Sequence, residues 1–516
     1  MLARLPSAAL RGLNAEPVDV EVDLSRGLPA WNMVGLPEAA VREARDRVRS
    51  ALLNSGFEFP LRHITVNLAP ADKRKDGSHF DLPVAIGLLL ASGQIQMKRD
   101  ASEHTEDQEN ALPFMIGELA LDGRLNPVPG VLPLAMHARD NGFMRLIVPE
   151  GNASEAVLVE GIEVLPAANL LQVARHLSHR DLLVSAPQPI EPVATIMSNT
   201  LDLADIRGQL QARRALEIAA AGGHHILMSG PPGVGKSMLA KRLPGILPPL
   251  TLAQRLEVAR IYSVSGDGTR TLTDITPPFR SPHHSASDVA MIGGGSTPRP
   301  GEVSRADFGV LFLDELPEFK RQVLEVLRQP LEDGRVCIAR AADTLEFPAR
   351  FQLLAAMNPC PCGYLGHPTR ACRCSPSQVR RYRQRISGPL LDRFDLHVHV
   401  PPVDKEELAR MQPGESSSRV AGRVQTARER QYERLGEGCV NARMSQSQIE
   451  QYAKPGTEGA QLLDAAMERF SLSARSYHRI LKVARTIADL DGAESVASSH
   501  IAEALQYRSE QTAQFS

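Results

Sequence analysis

Gly230-Pro231-Pro232-Gly233-Val234-Gly235-Lys236-Ser237 stands directly after the apolar run Ile226-Leu227-Met228 and directly before a helical stretch, Met238 to Leu243. The spacing is G-x-x-x-x-G-K-[ST] in a strand-to-helix context, which predicts a phosphate-binding loop. Glycines let a backbone approach phosphates closely, and amides at a helix N-terminus supply partial positive charge. Lys236 is the residue to neutralise the outer phosphates, and Ser237 offers its hydroxyl to Mg²⁺.

Outward from this loop, Val310-Leu311-Phe312-Leu313 runs into Asp314-Glu315, and Leu353-Leu354-Ala355-Ala356 leads into Met357-Asn358-Pro359. Short apolar strands alternating with helices predict a parallel α/β sheet, whose ligands gather at the C-terminal strand ends. Asp314 is then expected to orient the metal, Glu315 to polarise an attacking water, and Asn358 to hold the same water by its position. Before this core, alternating runs such as Val18-Asp19-Val20-Glu21-Val22 and Ile64-Thr65-Val66-Asn67-Leu68 flank a helical stretch from Glu38 to Leu53, an α+β pattern. After Pro401-Pro402 the sequence reads as helices, including Ala474 to Leu490 and His500 to Gln506. The expected domains are residues 1–185, a Pro-rich linker at 186–200, an α/β core at 201–402 and a helical domain at 403–516. The acidic stretch 100–109 reads as a solvated loop.

At 516 residues, with 43% hydrophobic and 23% charged side chains, the chain is long enough for about three domains and excludes a disordered or fibrous class. A net charge of −2 excludes a polybasic coat, so any nucleic-acid site is local, and 4% aromatics argue against base-stacking platforms. The apolar stretch Leu82 to Ala91 falls short of the roughly 20 residues that cross a bilayer, and no basic-then-apolar leader opens the sequence. No membrane partner and a cytoplasmic location are expected.

These spacings resemble an AAA+ ATPase, and the wording between them resembles the magnesium-chelatase-like ComM/YifB family. The resemblance is carried by Phe279-Arg280-Ser281-Pro282-His283-His284, Ile292-Gly293-Gly294-Gly295, Pro298-Arg299-Pro300-Gly301-Glu302 and Ile386-Ser387-Gly388-Pro389-Leu390-Leu391-Asp392-Arg393-Phe394-Asp395. It implies ATP as the nucleotide and a homo-oligomeric ring, six being the usual number. It further implies a DNA helicase of branch migration in recombination of incoming DNA, with recombinase machinery as a partner. By the same resemblance, Arg393 is the arginine finger that reaches a neighbour's γ-phosphate, and Arg475 in Ser473-Ala474-Arg475-Ser476-Tyr477 is the second sensor on a helical lid.

Val336 to Arg340 and Thr344 to Phe347 alternate about a polar break, which predicts a β-hairpin similar to the one inserted before the first sensor in this clade. A second insert spans Met291 to Arg305. Arg340 and Arg299 are candidates to grip DNA phosphates from these inserts, single-stranded, forked or branched. Cys360, Cys362, Cys372 and Cys374 form C-x-C-x₉-C-x-C, a set that can close a tetrahedral Zn²⁺ site or stand as free or redox-sensitive thiols. Around them Arg370, Arg373, Arg380, Arg381, Arg383 and Arg385 make a basic segment that binds DNA or faces an acidic neighbour.

Lys75-Asp76-Gly77-Ser78-His79 and Gly117 to Arg124 resemble the proteolytic domain of Lon. There the nucleophile's place falls on His79 and the lysine's near Leu132, with Ser78 one residue off, so the fold is expected without the chemistry. Two rival readings remain at this point: an ATP-dependent Lon-like protease, and a metal-insertion motor like the magnesium chelatase ATPase subunit.

Overall fold

The computed structural model describes residues 2–97, 112–187, 201–266, 274–295, 298–340, 343–403, 412–470 and 472–515. The acidic stretch 100–109 and most of the linker lie outside them. Strands Leu2–Arg11, Asn14–Ser25, His63–Ala69 and Ala30–Val34 form one sheet in that order. The alternation in Asn14–Ser25 is the reason: Val18, Val20, Val22 and Leu24 are buried, while Asp19, Glu21 and Asp23 turn outward. Helix Asp81–Ser92 lies on the apolar face and is buried almost throughout. Its Gly87 permits that approach, since a Cβ there would stand 2.6 Å from Cγ2 of Val22. A small parallel sheet of Phe114–Met115, Arg145–Pro149 and Glu163–Ala167 completes this part, and the backbone of Ala186 donates to Val164 at 2.8 Å.

The second sheet has five strands in the order Phe279–Arg280, Val310–Leu313, Gln352–Met357, Ile226–Ser229 and Leu396–His399, and every pair is parallel. Its central strands are buried on both faces, as their unbroken apolar runs require. Ile226, Met228, Phe312, Leu354 and Ala356 point to one core, and Leu227, Leu311, Leu313, Leu353 and Ala355 to the other. The first core is closed by helix Leu210–Gly222 and by the C-terminal helices Ser417–Leu435, Thr457–Phe470, Ala474–Leu490 and Ser498–Phe515. That packing fastens the helical domain to the sheet it covers.

The register sets the site. Ser229 pairs with Met357 and His399, and Leu313 pairs with Ala355, so the loops that begin at Gly230, Asp314 and Asn358 leave from one edge of the sheet. The hairpin forms from Arg335–Arg340 and Asp343–Pro348. Its root, Phe347, is buried against Leu13, Ile261 and Val264, where the N-terminal part meets helix Leu252–Ser265. Arg260 of that helix donates to the Leu13 carbonyl at 2.8 Å and to Asn14 at 2.7 Å. Among the described residues, no helix is long and apolar enough to cross a membrane.

Candidate nucleotide site and cysteine cluster

The loop after Ser229 turns through Gly233 and Gly235, both at positive φ of 81° and 92°, and ends in the short helix Lys236–Ala240 rather than the longer stretch expected to Leu243. Leu243 falls instead in a 3-10 turn, Leu243–Ile246. Lys236 Nζ is set among the carbonyls of Gly230 at 2.6 Å and Pro231 at 2.9 Å and the side-chain oxygen of Asn358 at 3.1 Å. Burial pushes its pKa down to about 8, with Asp314 and Glu315 working against the shift. The Ser237 hydroxyl donates to Asp314 at 2.6 Å. A hydroxyl beside a carboxylate is an all-oxygen donor pair, the chemistry a hard divalent cation such as Mg²⁺ takes.

Glu315 follows with φ of 52°, a left-handed conformation in a residue that carries a Cβ. Such a backbone costs about 1–2 kcal/mol and is held here by the Asp314 carboxylate accepting the Glu315 N–H at 3.0 Å. The turn throws its side chain outward, 55% exposed, to within 3.5 Å of His284 Nδ1. His284 lies in the Ser281-Pro282-His283-His284 run, which marked a family resemblance in the sequence without any chemical signal of this contact. The structure therefore brings together Gly230 to Ser237, Asp314, Glu315 and Asn358, and adds His284.

Arg393 lies elsewhere. It precedes strand Leu396–His399, whose first residue pairs with Ile226, so it occupies the N-terminal edge of the sheet, opposite Gly230. A four-residue strand spans about 13 Å, which keeps the guanidinium from its own phosphate loop. Only 7% of Arg393 is exposed. It is ion-paired with Glu332 and donates to the Pro389 carbonyl at 2.6 Å. Burial lowers its pKa against the pull of Glu332, and Arg328, Arg479 and Arg475 add to the lowering. Arg475 is exposed in the first turn of Ala474–Leu490, close enough to Arg393 to act on its charge. Arg299 is exposed where it pairs with Gly294. The Arg340 backbone pairs with Asp343, and its side chain lies outside the described residues.

Cys360, Cys362, Cys372 and Cys374 converge, their sulfurs all within 4.8 Å of one another. The loop they close leans on the nucleotide site: a Cβ at Gly363 would stand 2.6 Å from Cδ of Pro232.

In the N-terminal part, the Ser78 hydroxyl donates to Glu118, which also accepts from Asn126 at 3.1 Å. Lys75 Nζ donates to the carbonyls of Pro70 and Lys73. His79 is fully buried, its Nε2 2.8 Å from the Ala8 carbonyl, and Leu132 is a core side chain.

Three family profiles match successive parts of the chain: Subunit ChlI of Mg-chelatase over residues 20–152, Magnesium chelatase, subunit ChlI over 202–408, and Magnesium chelatase, subunit ChlI C-terminal over 414–508. A weaker likeness, 24% identity over 168 residues, links 31% of the chain to 19% of the Lon protease of Brucella suis. The Competence protein ComM of Haemophilus influenzae is 48% identical across 98% of this chain and 97% of its own length. The Uncharacterized protein YifB of Escherichia coli is 46% identical across 98% and 97%. Matched along its length at these identities, and divided as the magnesium-chelatase profiles are, the chain belongs to the ComM/YifB family of magnesium-chelatase-like AAA+ proteins.

Proposed function

We propose that this chain is an ATP-hydrolysing ring motor that works on DNA, a helicase promoting branch migration when incoming DNA is recombined. The observation that carries the motor is the split of the site. Phosphate-binding groups stand at one edge of the sheet and Arg393 at the other, so a complete site needs two subunits. A closed ring, with six subunits as its usual form, supplies such a neighbour to every site. The word competence in the name of the Haemophilus relative supports incoming DNA as the substrate.

Lys236 and the amides of Gly233 and Gly235 cradle the phosphates of ATP. Ser237 and Asp314 would hold Mg²⁺, which when bound neutralises charge on the outer phosphate oxygens. Glu315 draws a proton from the attacking water, and Asn358 holds both that water and the Lys236 ammonium. Arg393 of one subunit stabilises charge in the site of the next, with Arg475 beside it. Arg299 grips DNA phosphates, Arg340 is assigned the same role from its place in the hairpin, and the four cysteines hold a structural Zn²⁺. The motor acts in the cytoplasm alongside the recombinase.

The test is a four-way junction incubated with wild type and with Lys236→Ala. ATP-dependent resolution by wild type alone supports the reading. ATPase indifferent to DNA and responsive to a porphyrin-binding partner would transfer the chain to the metal-insertion reading that its chelatase profiles allow.

A further inference from the structure

The cysteine loop has the dimensions of a metal site. Cys360 and Cys362 sulfurs are 3.4 Å apart, and each is 3.6 Å from Cys372. A disulfide would need about 2.05 Å. Four thiolates at about 2.3 Å from a tetrahedral zinc stand about 3.8 Å from one another, which is the spacing approached here. The Cys374 N–H donates to Cys372 sulfur at 3.4 Å, an outer contact of the kind that orients a metal's ligands.

This loop also lies in a stretch whose charge is all of one sign. No Asp or Glu occurs between Glu346 and Asp392. Arg370, Arg373, Arg380 and Arg381 are exposed, and none of the four is ion-paired to an acid among the described residues. Arg385, by contrast, is neutralised by Glu318 at 2.7 Å. Arg370 is held in place by the Tyr364 ring at 5.3 Å and by its hydroxyl at 2.9 Å. Ser375, next to the last cysteine, caps helix Pro376–Arg383, so Arg380 and Arg381 are carried on an element whose start the metal loop fixes.

We propose that loop 360–374 and helix Pro376–Arg383 form a zinc-closed clamp for the phosphate backbone of nucleic acid, and that this clamp bears on the nucleotide site. Guanidinium groups with one tyrosine among them bind phosphate in any sequence and leave bases unread. Two contacts carry the load inward. Gly363 lies against Pro232 of the phosphate loop, and Tyr382, on the arginine helix, is buried in the same core as Met357, the residue before Asn358. DNA seated on the clamp therefore biases the residues that hold Lys236 and the attacking water.

The clamp rests on the reading of the chain as a DNA motor, and the experiment separates the two. Full-length wild type, Arg370→Gln/Arg373→Gln, Arg380→Gln/Arg381→Gln and Cys362→Ser/Cys374→Ser are assayed for zinc by elemental analysis and for ring size. Binding of a labelled single strand is then followed by anisotropy across a salt series with nucleotide present. One zinc per wild-type chain is expected, lost in the cysteine variant. Each arginine pair should keep zinc and ring size, while the slope of log affinity against log salt falls by about 1.4, at roughly 0.7 per phosphate contact on single strands. Wild type without zinc, or wild type that binds DNA with both arginine variants matching its slope, overturns the clamp alone. Arginine variants that lose the ring overturn it in favour of a contact with an acidic neighbouring subunit. Wild type that binds no DNA overturns the motor reading and the clamp together.

Discussion

The Arg479 guanidinium donates to the Asp395 carboxylate at 2.6 Å and to the carbonyl of Arg393 at 3.0 Å. One side chain on helix Ala474–Leu490 thus holds the backbone of Arg393, the proposed finger. Asp395 is buried and also accepts the His225 N–H at 3.1 Å. Burial opposes its charge, yet Arg479 and His224 keep the carboxyl well below the usual range. On the roles proposed above, a helical domain displaced by nucleotide would take the Arg393 loop with it.

Removing Arg479 leaves a buried carboxylate without its charge partner. Arg479→Ala should lower stability by about 3 kcal/mol or more, read by denaturant unfolding. Nucleotide affinity should stay near wild type while kcat in the assembled ring falls. Arg479→Lys should restore much of the stability and less of kcat, because one ammonium replaces two directed N–H groups. Equal recovery of both quantities would reduce Arg479 to a structural pair.

The phosphate loop separates binding from chemistry. Lys236→Ala should abolish ATP binding, measured with a fluorescent nucleotide, because nothing else at that position neutralises the outer phosphates. Glu315→Gln should bind ATP and hydrolyse it roughly 100-fold or more slowly, since only the base beside the water is lost. Normal turnover by Glu315→Gln would falsify that role.

Much of the sheet edge was legible before the structure, and the reason is local. Gly230 to Ser237, Asp314-Glu315 and Asn358 each follow an apolar strand, so motif and periodicity coincide within a few residues, and the strand Val310–Leu313 falls where its apolar run predicts. The contacts that cross the molecule were not legible. Glu332 and Arg393 are 61 residues apart and Arg479 and Asp395 84, and although Arg393 and Asp395 stand in a family-like run, nothing local names their partners. His284 was in plain view among family-like residues. Its approach to Glu315 depends on the left-handed turn at Glu315, which a residue with a Cβ gives no reason to expect.

Several histidines are held in the neutral form by their surroundings, His79, His225 and His397 among them, and acid should find them. His79 and His225 have pKa values lowered to about 4 from 6.5, burial being the main cause. Between those values the unfolded chain binds protons that the folded chain refuses, so stability falls as pH falls from 6.5 toward 4 and is fully kept above 6.5. Each site contributes up to about 3 kcal/mol across that window. His79→Gln, whose amide can still donate to the Ala8 carbonyl, should flatten its share. Unfolding curves at pH 7 and pH 4.5 that differ equally in wild type and variant would count against it.

Arg393 tests the ring itself. Inside one subunit its guanidinium is occupied by Glu332, 61% exposed, and by the Pro389 carbonyl, and the sheet stands between it and its own phosphate loop. Arg393→Ala subunits should therefore bind ATP normally, hydrolyse it poorly, and poison wild-type rings when mixed. Mixing Arg393→Ala with Lys236→Ala is the sharper measurement. Where an Arg393→Ala subunit, with its phosphate loop intact, neighbours a Lys236→Ala subunit, with its finger intact, one composite site is complete. An arginine finger is worth on the order of 10³ or more in rate, so even a minority of complete sites should rise above either variant alone. Glu332→Gln, which frees the finger without removing it, should behave as wild type or better in such mixtures. Full hydrolysis by Arg393→Ala alone, or no recovery on mixing when sizing shows that mixed rings form, would mean that the finger comes from another residue.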